Sequence, residues 1–188
     1  MGYFPFFVDV ENLHGVIIGG GHIALEKVER LAAFNAKLTL VAPEIRDEIR
    51  QYADVELIEE EYRREHLEAA DYVIAATDIR SLNERIYEDA KARGLLINVV
   101  DVPEKCDFIF PSVLKRGKLV VGVSSSGAGP QVAIRLRKEI EKLIPDDIEQ
   151  ILDFLAEERI RAKKEIPNPS ERKKYLIELA DKLLNHER

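Results

Sequence analysis

Val16-Ile17-Ile18-Gly19-Gly20-Gly21-His22-Ile23-Ala24 decides how this chain folds. A short apolar run enters a glycine cluster, and a helical pattern leaves it. Gly19-x-Gly21-x-x-Ala24 fits the G-x-G-x-x-[GA] turn that binds the pyrophosphate of a dinucleotide. The first glycine makes the tight turn, and the second lets the backbone approach the phosphates. The small third residue lets helix and sheet pack closely. The phosphates then sit at a helix N-terminus, among free N–H groups and the positive end of the dipole. The pattern is weak by itself. Here it follows a strand and opens a helix, which is the context it requires.

Working outward, residues 14–18 read as a strand and 22–34 as a helix with Ala24, Val28, Leu31 and Ala32 on one face. Leu38-Thr39-Leu40-Val41 is a second strand, and Pro43 opens a helix through about Tyr52. Val55–Ile58 is a third strand. Tyr72–Ala76 is a continuous apolar run, as expected for a strand buried on both faces. A helix follows from Ser81, an N-cap with Glu84 three residues later, and stops at Gly94 as C′ residue. Leu95–Val100 is another buried strand. Strands alternating with helices imply right-handed crossovers and a Rossmann-type parallel sheet over residues 1–112.

The pattern then changes. Phe108–Leu114 and Leu119–Val123 flank Lys115-Arg116-Gly117-Lys118 and read as an antiparallel hairpin. The small-residue loop Ser124-Ser125-Ser126-Gly127-Ala128-Gly129 leads to Pro130 at the first turn of a helix. Beyond Pro145 the chain reads as helical, with a break at Ile166–Pro169. Three segments result: 1–112 for the nucleotide, 113–145 with the hairpin and its helix, and 146–188 as a helical region. Val113, Leu114, Val121, Val123, Ile134 and Leu136 exceed what one hairpin can bury alone. A symmetric homodimer is the expected outlet.

Composition narrows the function classes. No apolar run approaches the roughly 18–20 residues that span a bilayer, and the apolar opening Tyr3–Val8 is too short for a signal-peptide core. The expected location is the cytoplasm, with no membrane partner. The one cysteine, Cys106, excludes an intrachain disulfide and a cysteine-based zinc site. His14, His22, His66 and His186 show no ligand spacing, so no metal site is expected. Residues 1–112 carry 12 basic and 22 acidic side chains, net −10, whereas 113–188 carry 16 and 13, net +3. A net charge of −7 argues against non-specific nucleic-acid binding. The positive second half suits either an anionic ligand or simply solvated helices.

The ends of the buried strands hold the candidate site residues, because ligands of open α/β sheets bind outside the carboxyl ends of the strands. After the second strand stands Val41-Ala42-Pro43-Glu44, with a slightly late carboxylate for a ribose and no arginine at the strand end for a 2′-phosphate. This favours NAD. Thr77 and Asp78 end a central strand and either contact the cofactor or cap the next turn. Asp101 ends another, and is either a catalytic group or an Asx turn ahead of Pro103. The Ser124–Gly129 loop either wraps a carboxylate with main-chain N–H groups or is a linker.

Together these residues resemble the precorrin-2 dehydrogenase family, which includes the N-terminal module of siroheme synthases. The resemblance rests on Gly19-Gly20-Gly21-x-x-Ala24-x-x-Lys27, Leu38-Thr39, Ala75-Ala76-Thr77-Asp78, Asn98-Val99-Val100-Asp101, Phe108-Ile109-x-Pro111-Ser112 and Val123-Ser124-Ser125-x-Gly127-x-x-Pro130, in the family's order and spacing. It implies NAD-dependent oxidation of precorrin-2 to sirohydrochlorin and a dimerisation role for 113–145. It implies Asp101 as the key aspartate, and nucleotide contacts at His22, Ile23, Pro43 and Glu44 beside Gly19, Gly20, Gly21 and Ala24. Some members also insert iron into the product. The chain ends at Arg188, which implies that a separate protein makes precorrin-2. A tetrapyrrole of this kind carries many carboxylates, for which Lys115, Arg116, Ser124, Ser125, Ser126 and Gly127 are the candidate contacts. Lys118, Arg135, Arg137 and Lys138 stand in the same positive half. A nucleotide-sensing regulatory module shares the glycine turn and the Thr-Asp strand end. It has no need of the Asn98–Asp101 and Phe108–Ser112 segments.

Overall fold

The computed structural model describes residues 2–185; His186 lies outside them. The chain divides into two compact units, Met1–Ile109 and Phe110–Arg188.

The first unit is a five-stranded parallel sheet: β1 (His14–Ile18), β2 (Lys37–Val41), β3 (Val55–Ile58), β4 (Tyr72–Ala75) and β5 (Leu96–Val99), in the order β3-β2-β1-β4-β5. The apolar runs are central strands buried on both faces: Val16, Ile17, Val73 and Ile74 have no exposed surface. Register aligns the strand ends, with Ile18 opposite both Val41 and Ala75, and Ala75 opposite Val99. The glycine turn and the residues after Val41, Ala75 and Val99 therefore emerge at one edge. The chain order reverses between β1 and β4, where such sheets open a ligand crevice.

Helix α1 (His22–Ala32) buries Ala24, Leu25, Val28 and Leu31. It ends where Asn35 takes the left-handed conformation (φ 55) and Ala36 N–H donates to the Leu31 carbonyl. Helix α2 (Arg80–Ala92) closes the same way at Gly94 (φ 72), with Leu95 N–H donating to the Ala90 carbonyl. Ile86 and Ala90 join Val16, Ile18, Val73 and Ile97 in the core of one face.

Three local expectations give way. The segment after Pro43 is not a helix; it is a turn with one 3₁₀ turn at Ile49–Gln51. Its backbone is held by neighbours, since Ala42 N–H donates to the Ile58 carbonyl and Arg46 N–H to the Gly20 carbonyl. Ile45 and Ile49 are buried at a spacing of four as two anchors, which imitates a helical period. Ser81 lies inside α2, whose N-cap position is Ile79; the Ile79 N–H is taken by Thr77 Oγ1 at 3.2 Å. Glu84 pairs with Lys105 rather than folding back to a cap. The first hairpin strand begins only at Ser112, because Pro111 has no N–H to give a ladder.

In the second unit β6 (Ser112–Arg116) pairs antiparallel with β7 (Leu119–Val123). The two-residue turn has Gly117 at φ 54, the conformation tight hairpins require. Helices α3 (Pro130–Glu141), α4 (Ile148–Glu165) and α5 (Pro169–Leu184) follow. Asn168 caps α5 through its side-chain oxygen, which accepts from the N–H groups of Ser170 and Glu171. Among the described residues no helix is long and apolar enough to cross a membrane.

Candidate nucleotide site

The three glycines differ in what surrounds them. A β-carbon at Gly19 (φ 126) would stand 2.3 Å from the Ala76 carbonyl oxygen, so the turn after β1 lies directly against the end of β4. Gly19 N–H donates to the Val41 carbonyl, which ties it to β2 as well. A β-carbon at Gly20 would meet the Glu44 carbonyl. Gly21 is open: among the described residues no atom lies within 4 Å of the β-carbon position. It is the N-cap of α1 and has no side chain to take the first amides. Two glycines are thus demanded by the protein's own packing, and the third has open space beside it. His22 and Ile23 are exposed in the first turn, and His22 lies 3.3 Å from Glu26. Ala24 is buried against the sheet. Pro43 and Glu44 are exposed beside the turn.

Thr77 and Asn83 lock the end of β4. Thr77 Oγ1 lies 2.7 Å from Asn83 Oδ1, and Asn83 Nδ2 donates to the Thr77 carbonyl at 2.8 Å. The Thr77 hydroxyl is engaged within the turn, whereas Asp78 is exposed next to it.

Asp101 is exposed and holds φ 60, an uncommon conformation for a residue with a side chain. Its loop is pinned from below. Val100 N–H donates to the Ala75 carbonyl. The Cys106 thiol donates towards the Val99 and Val102 carbonyls at 3.2 and 3.3 Å. Asn98, buried, donates to the Phe108 carbonyl at 2.8 Å and reaches Cys106 Sγ at 3.4 Å. Asp107 accepts from Ile97 N–H and from Lys91 Nζ. Burial pushes the Cys106 thiol above its ordinary pKa, which suits a packing group.

Lys27 is half-buried on α1. Its ammonium is held below the usual lysine range by burial first and Arg30 second, while Glu26, Asp101 and Cys106 act in the opposite sense. Its place in the Gly19-Gly20-Gly21-x-x-Ala24-x-x-Lys27 motif did not by itself give it a role. The signal was present: Lys27 is three residues after Ala24 and four before Leu31, a cation on the buried stripe. Asn83, Cys106 and Asp107 went unassigned because their partners come from distant strands and loops.

The second unit carries the remaining predicted contacts. Ser126 (φ 51) and Gly127 (φ 86) are both left-handed. Three amides of this loop are engaged internally: Ser126 N–H with Ser124 Oγ, Gly129 N–H with Ser125 Oγ, and Ala128 N–H with the Ser125 carbonyl. Lys115 is exposed on β6. Arg116 lies 3.8 Å from both Glu141 and Asp146, partly neutralised by them. Among the described residues no three His, Cys, Asp or Glu side chains are grouped to hold a metal ion.

The chain is 38% identical to a siroheme synthase of Psychrobacter arcticus over 93% of its own length and 32% of that protein's. It is 37% identical to one of Nitrosococcus oceani over 88% of this chain and 36% of the relative. It spans about a third of the length of these curated relatives. A solved structure described as SirC, precorrin-2 dehydrogenase, superposes with a TM-score of 0.82 at 21% identity, covering 94% of this chain and 89% of that one; the two share a fold. Residues 6–112, which hold the glycine turn and every strand of the parallel sheet, match the family model described as putative NAD(P)-binding, and the chain belongs to that family.

Proposed function

We propose that this protein oxidises precorrin-2 to sirohydrochlorin with NAD as hydride acceptor. The observation that carries the reading is Asp101 held at φ 60 on the sheet edge that also carries the open Gly21 turn. The siroheme synthase matches support it by running through the residues beyond 97, which a nucleotide sensor would not need.

The residues present fit a dinucleotide. Gly21 leaves room for a pyrophosphate, and the first turn of α1 supplies N–H donors and the positive end of a dipole. Glu44, exposed after β2, is the acceptor for ribose hydroxyls, and its negative charge disfavours a 2′-phosphate. When bound, the nicotinamide supplies the hydride acceptor. The protein's own residues then do three things. The glycine turn and Asp78 fix the position of the cofactor. Asp101 takes the proton that leaves the macrocycle as the hydride departs from another carbon, so that two electrons and two hydrogens are removed in all. Lys115, Arg116, Ser124, Ser125, Ser126 and Gly127 bind substrate carboxylates.

The segment 113–145 serves dimerisation in this reading, and 146–188 forms the helical region. The apolar side chains left exposed there support it: Val113, Val132, Ile134 and Leu136. The single thiol and the absence of a long apolar helix among the described residues support a cytoplasmic location.

Anaerobic incubation with enzymatically made precorrin-2 and NAD tests the reading. Appearance of the sirohydrochlorin spectrum with stoichiometric NADH is expected. No NADH formation overturns it. Repetition with ferrous or cobaltous ions reads out metal insertion.

A further inference from the structure

A groove of about 550 Å³ runs between α4 and α5. Pro169, Arg172, Lys173, Leu176, Ile177 and Ala180 line it from α5, at spacings that place them on one helical face. Arg159 and Lys163, one turn apart on α4, complete it. The groove is amphipathic: four cations stand around an apolar wall of leucine, isoleucine, alanine and proline. No acidic residue lines it among the described residues.

Helix stability accounts for Lys163, which lies in the last turn of α4 where the dipole favours a cation, but not for the grouping of all four. Of the other cations on these helices, Arg161 pairs with Glu158 and Glu165 and Lys174 with Glu178, whereas Lys164 and Lys182 form no ion pair among the described residues. Arg159, Lys163 and Lys173 form no ion pair among the described residues. Like charges one turn apart on α4 repel. Arg172 and Lys173 stand towards the positive end of the α5 dipole, where cations are disfavoured. Arg172 is nevertheless fixed in place, because its Nη1 donates to the Ile166 carbonyl at 2.9 Å. Four cations gathered without a counter-charge create a local positive field in a protein whose net charge is −7. A volume of this size is in the range that holds a small ligand rather than a water cluster.

We propose that this groove binds an amphipathic polycarboxylate, a macrocycle of the tetrapyrrole class whose apolar face lies on Leu176, Ile177 and Ala180 and whose carboxylates meet Arg159, Lys163, Arg172 and Lys173. The choice of macrocycle rests on the proposed function; the preference for an apolar polyanion rests on the groove alone. The site is additional to the Ser124–Gly129 loop and its basic neighbours, and it serves to hold a substrate or product molecule on the α4–α5 pair.

The probe is uroporphyrin, a stable fluorescent octacarboxylate, titrated into the full chain and followed by fluorescence, with its octamethyl ester as the uncharged comparison. The parent protein is expected to bind the acid and not the ester, with affinity that falls as salt rises. The double variant Arg159→Glu/Lys163→Glu is expected to lose one bound porphyrin per chain, or to bind it at least about tenfold more weakly. Lys164→Glu, an exposed cation outside the groove, is expected to behave as the parent. Equal losses in both variants, or no loss in the double variant, overturn the proposal. If charge reversal unfolds the helix pair, as circular dichroism would show, Arg159→Gln/Lys163→Gln gives the same readout. NADH formation from precorrin-2 is measured separately, so a failure of the dehydrogenase reading leaves the porphyrin result intact, and the converse holds.

Discussion

The α-carbon of Gly20 lies against the main-chain carbonyl of Glu44, so that a β-carbon at position 20 would stand 2.0 Å from that oxygen. Its neighbour Gly21 faces open space. The two glycines therefore answer to different constraints, and substitutions should separate them. Gly20→Ala should destabilise the fold by about 1–3 kcal/mol, because the β2–β3 connection must shift. Gly21→Asp should leave urea stability nearly unchanged and weaken NAD binding by about tenfold or more, through bulk and like charge beside the phosphates. Chemical denaturation and NADH fluorescence titration check the pair. Unchanged NADH affinity in Gly21→Asp would place the phosphates elsewhere.

Asp101 should separate binding from chemistry. Asn tolerates the left-handed backbone, so Asp101→Asn keeps the loop while removing the base. A fall in kcat of about 10²–10⁴-fold is expected, with NADH affinity unchanged. Asp101→Ala should lose the same activity and about 1 kcal/mol of stability besides, from the strained φ. Full turnover in either variant would remove Asp101 from the mechanism.

The Thr77–Asn83 lock predicts a stability defect outside the reacting groups. Asn83 is buried, and both atoms of its amide have partners in the Thr77 turn. Asn83→Ala should cost about 1–3 kcal/mol by leaving the Thr77 carbonyl without its donor. A lowered Tm, with NADH binding weakened only through disorder of Thr77 and Asp78, is the expected pattern.

Tyr72 predicts an alkaline limit to stability. Its ring fills the space over Gly15, and its hydroxyl is buried with no hydrogen-bond partner among the described residues. Burial, with a smaller contribution from Asp71, pushes the phenol up from 10.0 to about 12. Between these values the unfolded chain has released the proton and the folded chain keeps it. The stability is complete below pH 10 and falls as pH rises towards 12, by about 1 kcal/mol per unit for one proton. Tyr72→Phe should remove that slope and leave stability at neutral pH within about 1 kcal/mol, since no hydrogen bond is lost. Equilibrium unfolding at pH 8, 10 and 11 measures it.

The exposed apolar positions of α3 predict the assembly. Val132 is 58% and Leu136 50% exposed, one turn apart. Sedimentation at micromolar concentration should show a dimer, and Val132→Asp/Leu136→Asp should convert it to a monomer. A monomeric parent protein would refute the dimer.

Much of the first unit was legible in the sequence because its signals are local. The glycine turn, the buried runs of β1, β4 and β5, and Gly94 as a helix end each depend on a few adjacent residues, and backbone sterics and burial on both faces allow few alternatives. The order of Asp78 and Asp101 at strand ends follows from the same reading, since a parallel sheet brings successive strand ends to one edge. Tertiary structure alone decided the rest. It denied a helix after Pro43, because the amides of Ala42 and Arg46 found acceptors on β3 and the glycine turn instead of within their own segment. It placed Lys27 near Asp101, set Asn98, Cys106 and Asp107 beneath the Asp101 loop, and left Gly21 open where Gly20 is closed. Each depends on a partner distant in the chain, and a hydrogen bond or a close approach between such segments has no periodicity to announce it.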